Sequence, residues 1–296
     1  MEAGLKFIRE NKDKPFFCYF PITPPHGMYD IPTDDPAWKL YEGESWIKDP
    51  AIAQDVKNYA AMVSMVDYNV GQVIDLLSEL KLEKDTIVFF TGDNGGQDRF
   101  RSPKHPRGFF GPNVNPKNGA EFRGGKGNLF EGGLRIPYLV RWPGKIKPGQ
   151  VNDLIFYQPD VLPTLAELTG AKAPDGIDGI SFLPTLLSQA QTKKHEMLYW
   201  EFRGQTAVRQ GLWKAIQTKP DRPWELYDLS QDIGESTNVA AKHLERLAKM
   251  KAFAKASHEP VRAGKYLDPK RTRHERDRKA KWGTAKPQPR ARRPRK

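Results

Sequence analysis

Residues 86–96, TIVFFTGDNGG, decide the fold. A β-branched and aromatic run that is apolar on both faces suits the middle of a parallel sheet covered by helices. The run breaks at Gly92 into a carboxylate, an amide and two more glycines. In open α/β sheets ligands bind beyond the carboxyl ends of the strands, which puts Asp93 and Asn94 where a ligand would sit. Adjacent oxygen donors on a glycine-flexed loop suit a hard divalent cation such as Ca²⁺ or Mg²⁺. The same residue types also build an ordinary turn, and these eleven residues alone do not separate the two.

Upstream, Val56, Tyr59, Val63, Val66, Val70, Val73, Leu77 and Leu80 recur at alternating steps of three and four, which predicts one long helix with a single buried stripe. Asp67 lies beside the stripe and reads as a structural or solvated edge. Further back, PFFCYFPI (15–22) reads as a strand stopped by the prolines of TPPHG (23–27), which present His26 just past its end. Strand, loop, helix, strand is a βαβ unit, so the expectation is a parallel sheet in an α/β fold. Residues 27–50 read as a long surface loop whose Trp38 and Trp46 either stack on a ligand or anchor the loop.

Downstream, the polar stretch 97–127 contains His105, read as a surface residue, and Phe109, a further aromatic of the same kind; it ends in FRGGKGNLFEGG, followed by a strand over 136–142. A loop of that length in a compact domain is functional or disordered. Asp160 precedes VLPTLAEL as a helix N-cap. Beyond residue 190, MLYWEF, TAVRQGLWKAI and WELYDL alternate at hairpin spacing, predicting a small antiparallel sheet with a helix over 235–256 packed on it.

The chain of 296 residues can bury a full core. Its apolar runs are far too short to cross a bilayer, and the charged start MEAGLKFIRENKDK has no apolar signal-peptide core. A single cysteine, Cys18, excludes an intramolecular disulfide framework. The formal charge of +12 is wholly terminal: residues 261–296 hold 15 Lys+Arg against 3 Asp+Glu. With almost nothing apolar to bury, this tail is expected to be disordered, either contacting polyanions (nucleic acid, anionic lipid or acidic polysaccharide) or simply solvated.

Four stretches in order, TPPHG, TGDNGG, FRGGKGNLFEGGLRIP and ELYDLSQDIGESTNVA, resemble the C-terminal half of type I sulfatases, the arylsulfatase family of the alkaline phosphatase superfamily. The resemblance covers roughly residues 15–256. It implies a partial alkaline-phosphatase-like mixed α/β sheet flanked by helices, followed by the small antiparallel sheet and helix. It implies that Asp93 and Asn94 are two ligands of one divalent cation, usually calcium. It also implies that Lys126 contacts the sulfate ester and that His26 hydrogen-bonds or protonates the leaving group. The expected partner is a sulfate-ester small molecule or sulfated polysaccharide, and the expected location is periplasmic or extracellular.

The family's formylglycine nucleophile comes from a Cys/Ser-x-Pro-x-Arg motif, which this sequence lacks: Cys18 is followed by Tyr-Phe-Pro-Ile. The Lys-x-His pair that helps hold sulfate is also missing, as is the family's adjacent acidic pair; Asp34-Asp35 is acidic but lies in a polar loop after His26. The expectation is therefore the C-terminal portion of a longer sulfatase, with Met1 an internal methionine, inactive alone. The expected organisation is 1–190 for part of the catalytic α/β domain, 191–260 for the small subdomain and 261–296 for the basic tail. The alternatives are a phosphoric-ester or phosphonate hydrolase of the same superfamily and a non-catalytic binder of sulfated polysaccharide or another polyanion.

Overall fold

The computed structural model describes residues 1–26, 29–52, 54–97 and 113–260. The basic tail, His105 and Phe109 lie outside them. The long amphipathic helix is α4, Gln54–Glu79. A helix that the sequence reading did not identify, α1 (Glu2–Asn11), packs Ile8 against Leu76 and Leu77 of α4, joined by Phe16, Phe20 and Val88. The Phe20 ring packs directly over Gly4, where a Cβ would lie 1.9 Å from it and the ring would have to shift.

Residues 29–52 are not a bare surface loop. They contain the short helices α2 (Pro36–Lys39) and α3 (Ser45–Lys48), and bury Ile31, Ala37 and Trp38 against Ala61 and Met62 of α4. The Asp35 carboxylate accepts the Ala37 N–H at 2.8 Å and starts α2, so one member of the acidic pair is a helix cap. Trp38 is an anchor: it is 8% exposed in the centre of this cluster.

The deciding stretch forms β1, Val88–Thr91, but its partner is antiparallel: β2 (Tyr138–Arg141) runs against it with Val88 opposite Arg141 and Thr91 opposite Tyr138. The expected parallel pairing with residues 15–22 is absent among the described residues, where that segment forms no ladder. Phe16 and Phe20 are half-buried against α1 and α4, while Phe17 and Tyr19, on the other side of the segment, are exposed. An apolar run does not by itself choose a hydrogen-bonding neighbour.

The short helix α5 (Glu131–Leu134) precedes β2, and α6 (Val161–Thr169) and α7 (Leu183–Leu186) follow it. Asp160 does not cap α6 through its side chain. Its buried carboxylate instead accepts the N–H groups of Tyr157 at 3.0 Å and Ile180 at 2.7 Å, and lies 2.8 Å from His195 Nε2, tying three segments together.

The expected C-terminal sheet is present in the order β3 (Leu198–Phe202), β4 (Gln205–Gln210), β5 (Trp213–Gln217), β6 (Glu225–Asp228), antiparallel throughout. Alternation along the strands sends side chains to two different neighbours. Val208, Ala215 and Leu226 pack against Met250 and Ala254 of α8, Leu244–Ser257. Ala207, Ile216 and Tyr227 pack against Leu129 and Phe130, in the segment that also holds Lys126. The helix begins later than expected, because Glu235 sits at a positive φ of 52° with no exposed area and cannot start one.

Candidate functional site

Two glycine-rich segments, one after β1 and one before α5, lie side by side. Gly95 N–H donates to the Gly133 carbonyl at 3.0 Å, and Lys126 N–H donates to the Gly96 carbonyl at 2.7 Å. Asn113 bridges them, donating from Nδ2 to the carbonyls of Gly96 at 3.1 Å and Gly132 at 2.9 Å. This approach is possible only without side chains: a Cβ on Gly95 would lie 1.9 Å from the Gly132 oxygen, and one on Gly132 would lie 2.0 Å from the Gly124 oxygen. Gly95 lets the first segment touch the second, and Gly132 lets the second fold closely on itself at Gly124.

The acid–amide pair and Lys126 are thereby brought together. Asp93 is exposed and Asn94 half-buried, with Asn94 Nδ2 donating to the Gly95 carbonyl at 3.0 Å. Lys126 is half-buried, and its backbone is bonded two residues beyond Asn94. His26 is placed less closely. Its exposed side chain follows Pro25, which lines one groove with Phe90 of β1 and with Tyr59, Val63, Val66, Asp67 and Val70 of α4. Among the described residues no hydrogen bond joins its side chain to Asp93, Asn94 or Lys126.

Two oxygen donors are far short of the six or more that a hard cation takes. Among the described residues there is no cluster of three or more His, Cys, Asp or Glu able to hold a metal. Asp93 and Asn94 offer two of the oxygens such a site takes and do not make one by themselves.

Beneath the Lys126 segment is a buried charge network that the sequence reading missed. Glu131, at the start of α5, receives Lys214 Nζ at 2.9 Å on Oε1 and both Arg209 (3.0 Å) and Arg135 (2.6 Å) on Oε2. Lys214 Nζ also lies 2.8 Å from Glu235 Oε1, and Glu235 Oε2 accepts the Glu131 N–H at 2.6 Å. Burial alone would raise the Glu131 carboxyl, but Lys214, Arg209 and Arg135 reverse this and hold it at about 2. Burial likewise raises Glu235, which Lys214 opposes and the nearby Glu131 reinforces, leaving it above its ordinary value. Arg123 adds a further tie, donating to Tyr227 Oη at 2.8 Å and to the Glu235 carbonyl at 2.9 Å while its guanidinium lies 3.9 Å from the centre of the Phe130 ring. The signal was in the alternation: Arg209 and Lys214 sit opposite each other in register, on the face that carries Ala207 and Ile216.

The sulfatase family model matches residues 1–171, and the model described as N-sulphoglucosamine sulphohydrolase, C-terminal, matches residues 125–257. Mouse steryl-sulfatase is 34% identical over 229 residues, covering 74% of this chain and 33% of that protein. An N-acetylgalactosamine-6-O-sulfatase of Bacteroides thetaiotaomicron is 30% identical over 259 residues, covering 81% and 46%. The crystal structure of Ps i-CgsB superposes with a TM-score of 0.68 at 26% identity, covering 86% of this chain and 53% of that one. The chain thus spans less than half the length of these two curated relatives. With one family model over residues 1–171 and an alkaline-phosphatase-like α/β fold shared with solved sulfatases, the chain belongs to the sulfatase family.

Proposed function

We propose that this chain carries the part of a sulfuric ester hydrolase that binds and orients the sulfate group and protonates the departing oxygen. One observation carries the reading: the hydrogen bond from Lys126 N–H to the Gly96 carbonyl at 2.7 Å, which holds the GGKG lysine against the acid–amide loop. Lys126 supplies positive charge to the sulfate oxygens, whose charge redistributes as the S–O bond breaks. His26 is the group that donates a hydrogen bond or a proton to the bridging oxygen as it leaves. Asp93 and Asn94 are two ligands of a divalent cation, calcium by family. When bound, such a cation neutralises charge on the sulfuryl group.

The nucleophile motif is not in this sequence, so the residues described here bind, position and donate a proton, and hydrolysis by this chain alone is not expected. The substrate class we propose is a sulfated saccharide, on the strength of the N-acetylgalactosamine-6-O-sulfatase relative and of the Ps i-CgsB complex with k-i-k-neocarrahexaose, 25% identical to this chain. Export to the periplasm or cell exterior follows from the same kinship. Among the described residues no helix is long and apolar enough to cross a membrane.

Titration calorimetry with a sulfated disaccharide, with and without Ca²⁺, tests this. Binding that strengthens with Ca²⁺, weakens about tenfold or more in Lys126→Ala and loses its Ca²⁺ dependence in Asp93→Ala is the expected result. Unchanged binding in both variants refutes the reading. Turnover by the wild-type chain that disappears in Asp93→Ala would overturn the prediction of inactivity.

A further inference from the structure

We infer that Gln205 is the positioning residue of Lys126, holding the glycine turn that carries it. The inference rests on the proposed role of Lys126 in sulfate binding. Gln205 opens β4, and alternation puts it with Ala207 and Arg209 on the face toward residues 123–135. Its Oε1 accepts the Leu129 N–H at 3.2 Å and its Nε2 donates to the Gly127 carbonyl at 3.1 Å. One primary amide therefore spans backbone groups one and three residues after Lys126, using its donor and its acceptor at once.

The turn needs such a holder. Gly124 and Gly127 flank Lys126 with φ of 68° and 93°, in the region that favours glycine, and glycine carries the largest ordering entropy of any residue. Within the turn, Asn128 N–H reaches the Gly125 carbonyl at 3.2 Å. Gly125 is buried while Lys126, Gly127 and Asn128 are only half so, and water competes for these backbone groups. Gln205 comes from a sheet packed on both faces, so it ties a flexible loop to a rigid platform. No other described side chain is bonded to both Gly127 and Leu129. The network at Glu131 fixes the far end of the segment, and Gln205 fixes the end that holds the lysine.

The test uses the full chain, ¹⁵N-labelled, with amide hydrogen exchange and a titration of inorganic sulfate read by NMR. In Gln205→Ala, exchange at Leu129 should accelerate about five- to tenfold relative to Val208 and Ala215, and sulfate should bind about five- to tenfold more weakly, as for one lost net hydrogen bond. Gln205→Glu keeps the acceptor for Leu129 N–H and loses the donor to Gly127, so Leu129 should stay protected in it; this isosteric variant carries the exchange arm should Gln205→Ala not fold. Leu129 exchange unchanged in folded Gln205→Ala, or fast in both variants, overturns the inference. So does sulfate affinity that is lost in Lys126→Ala and intact in Gln205→Ala. Sulfate affinity that survives Lys126→Ala instead overturns the underlying reading of Lys126.

Discussion

Lys214→Met removes the one ammonium that touches both buried carboxylates, and its cost can be worked out from the geometry. The side chain of Lys214 has no exposed area, with Nζ 2.9 Å from Glu131 Oε1 and 2.8 Å from Glu235 Oε1. At an effective dielectric of about 20 each contact gives about 6 kcal/mol of gross attraction. Burying the ammonium offsets several kcal/mol of that, and losing one partner of a buried pair leaves a net cost of about 3–5 kcal/mol. Glu131 keeps Arg209 and Arg135, so the loss falls on Glu235, which retains the Glu131 N–H but no ion pair.

Glu235 is already raised by burial, and the substitution raises it further. An acid whose folded pKa is raised destabilises the fold above that pKa, and the penalty fades as pH falls through it toward the unfolded value. Urea unfolding followed by tryptophan fluorescence, from pH 8 to pH 5, should therefore show the full deficit at pH 8. The deficit should shrink by up to about 1.4 kcal/mol per pH unit below the new pKa. Adding Glu235→Gln to Lys214→Met should restore most of the loss at pH 8. A deficit under about 1 kcal/mol that is flat with pH refutes the reasoning.

Three further outcomes are expected. Glu131, held at about 2 against an ordinary 4.5, contributes stability that is present above about 4.5 and lost as pH falls toward 2, about 3 kcal/mol for about 2.5 pH units. Glu235 runs the opposite way, so acid unfolding of Glu235→Gln should show the Glu131 loss with less offset, while Glu131→Gln should lack it. Gly95→Ala places a Cβ 1.9 Å from the Gly132 oxygen and should cost at least about 1–3 kcal/mol in thermal unfolding, with sulfate affinity falling as the two segments separate. Trp38→Ala should cost about 3–5 kcal/mol by the same assay and leave saccharide affinity unchanged, since Trp38 is buried on α4.

The parts of this protein that the sequence states by itself are those whose signal is local. The periodicity from Val56 to Leu80 specifies α4 because a helix brings every third and fourth residue to one face. That face is not one buried stripe: Tyr59, Val63, Val66 and Val70 line a groove, and the apolar residues that α4 buries are Ala61, Met62, Leu76 and Leu77. The alternating runs after residue 197 specify β3 to β6, because a strand sends successive side chains to opposite faces. TGDNGG and FRGGKGNLFEGG mark the two segments that the fold does bring together. What depends on contacts between distant residues was decided only in the tertiary structure. The partner of β1 is antiparallel β2 and not residues 15–22, because both runs are equally apolar and pairing is settled by which neighbour supplies aligned N–H and C=O groups. Trp38, Asp160 and Glu235 read as a loop aromatic, a helix cap and a helix start, and became a core anchor, a three-way acceptor and a buried ion-pair partner. The roles of Gln205, Arg209 and Lys214 were equally hidden. A polar side chain in a strand declares its face, but what lies opposite that face comes from a segment some 80 residues away, and only packing of the chain upon itself joins the two.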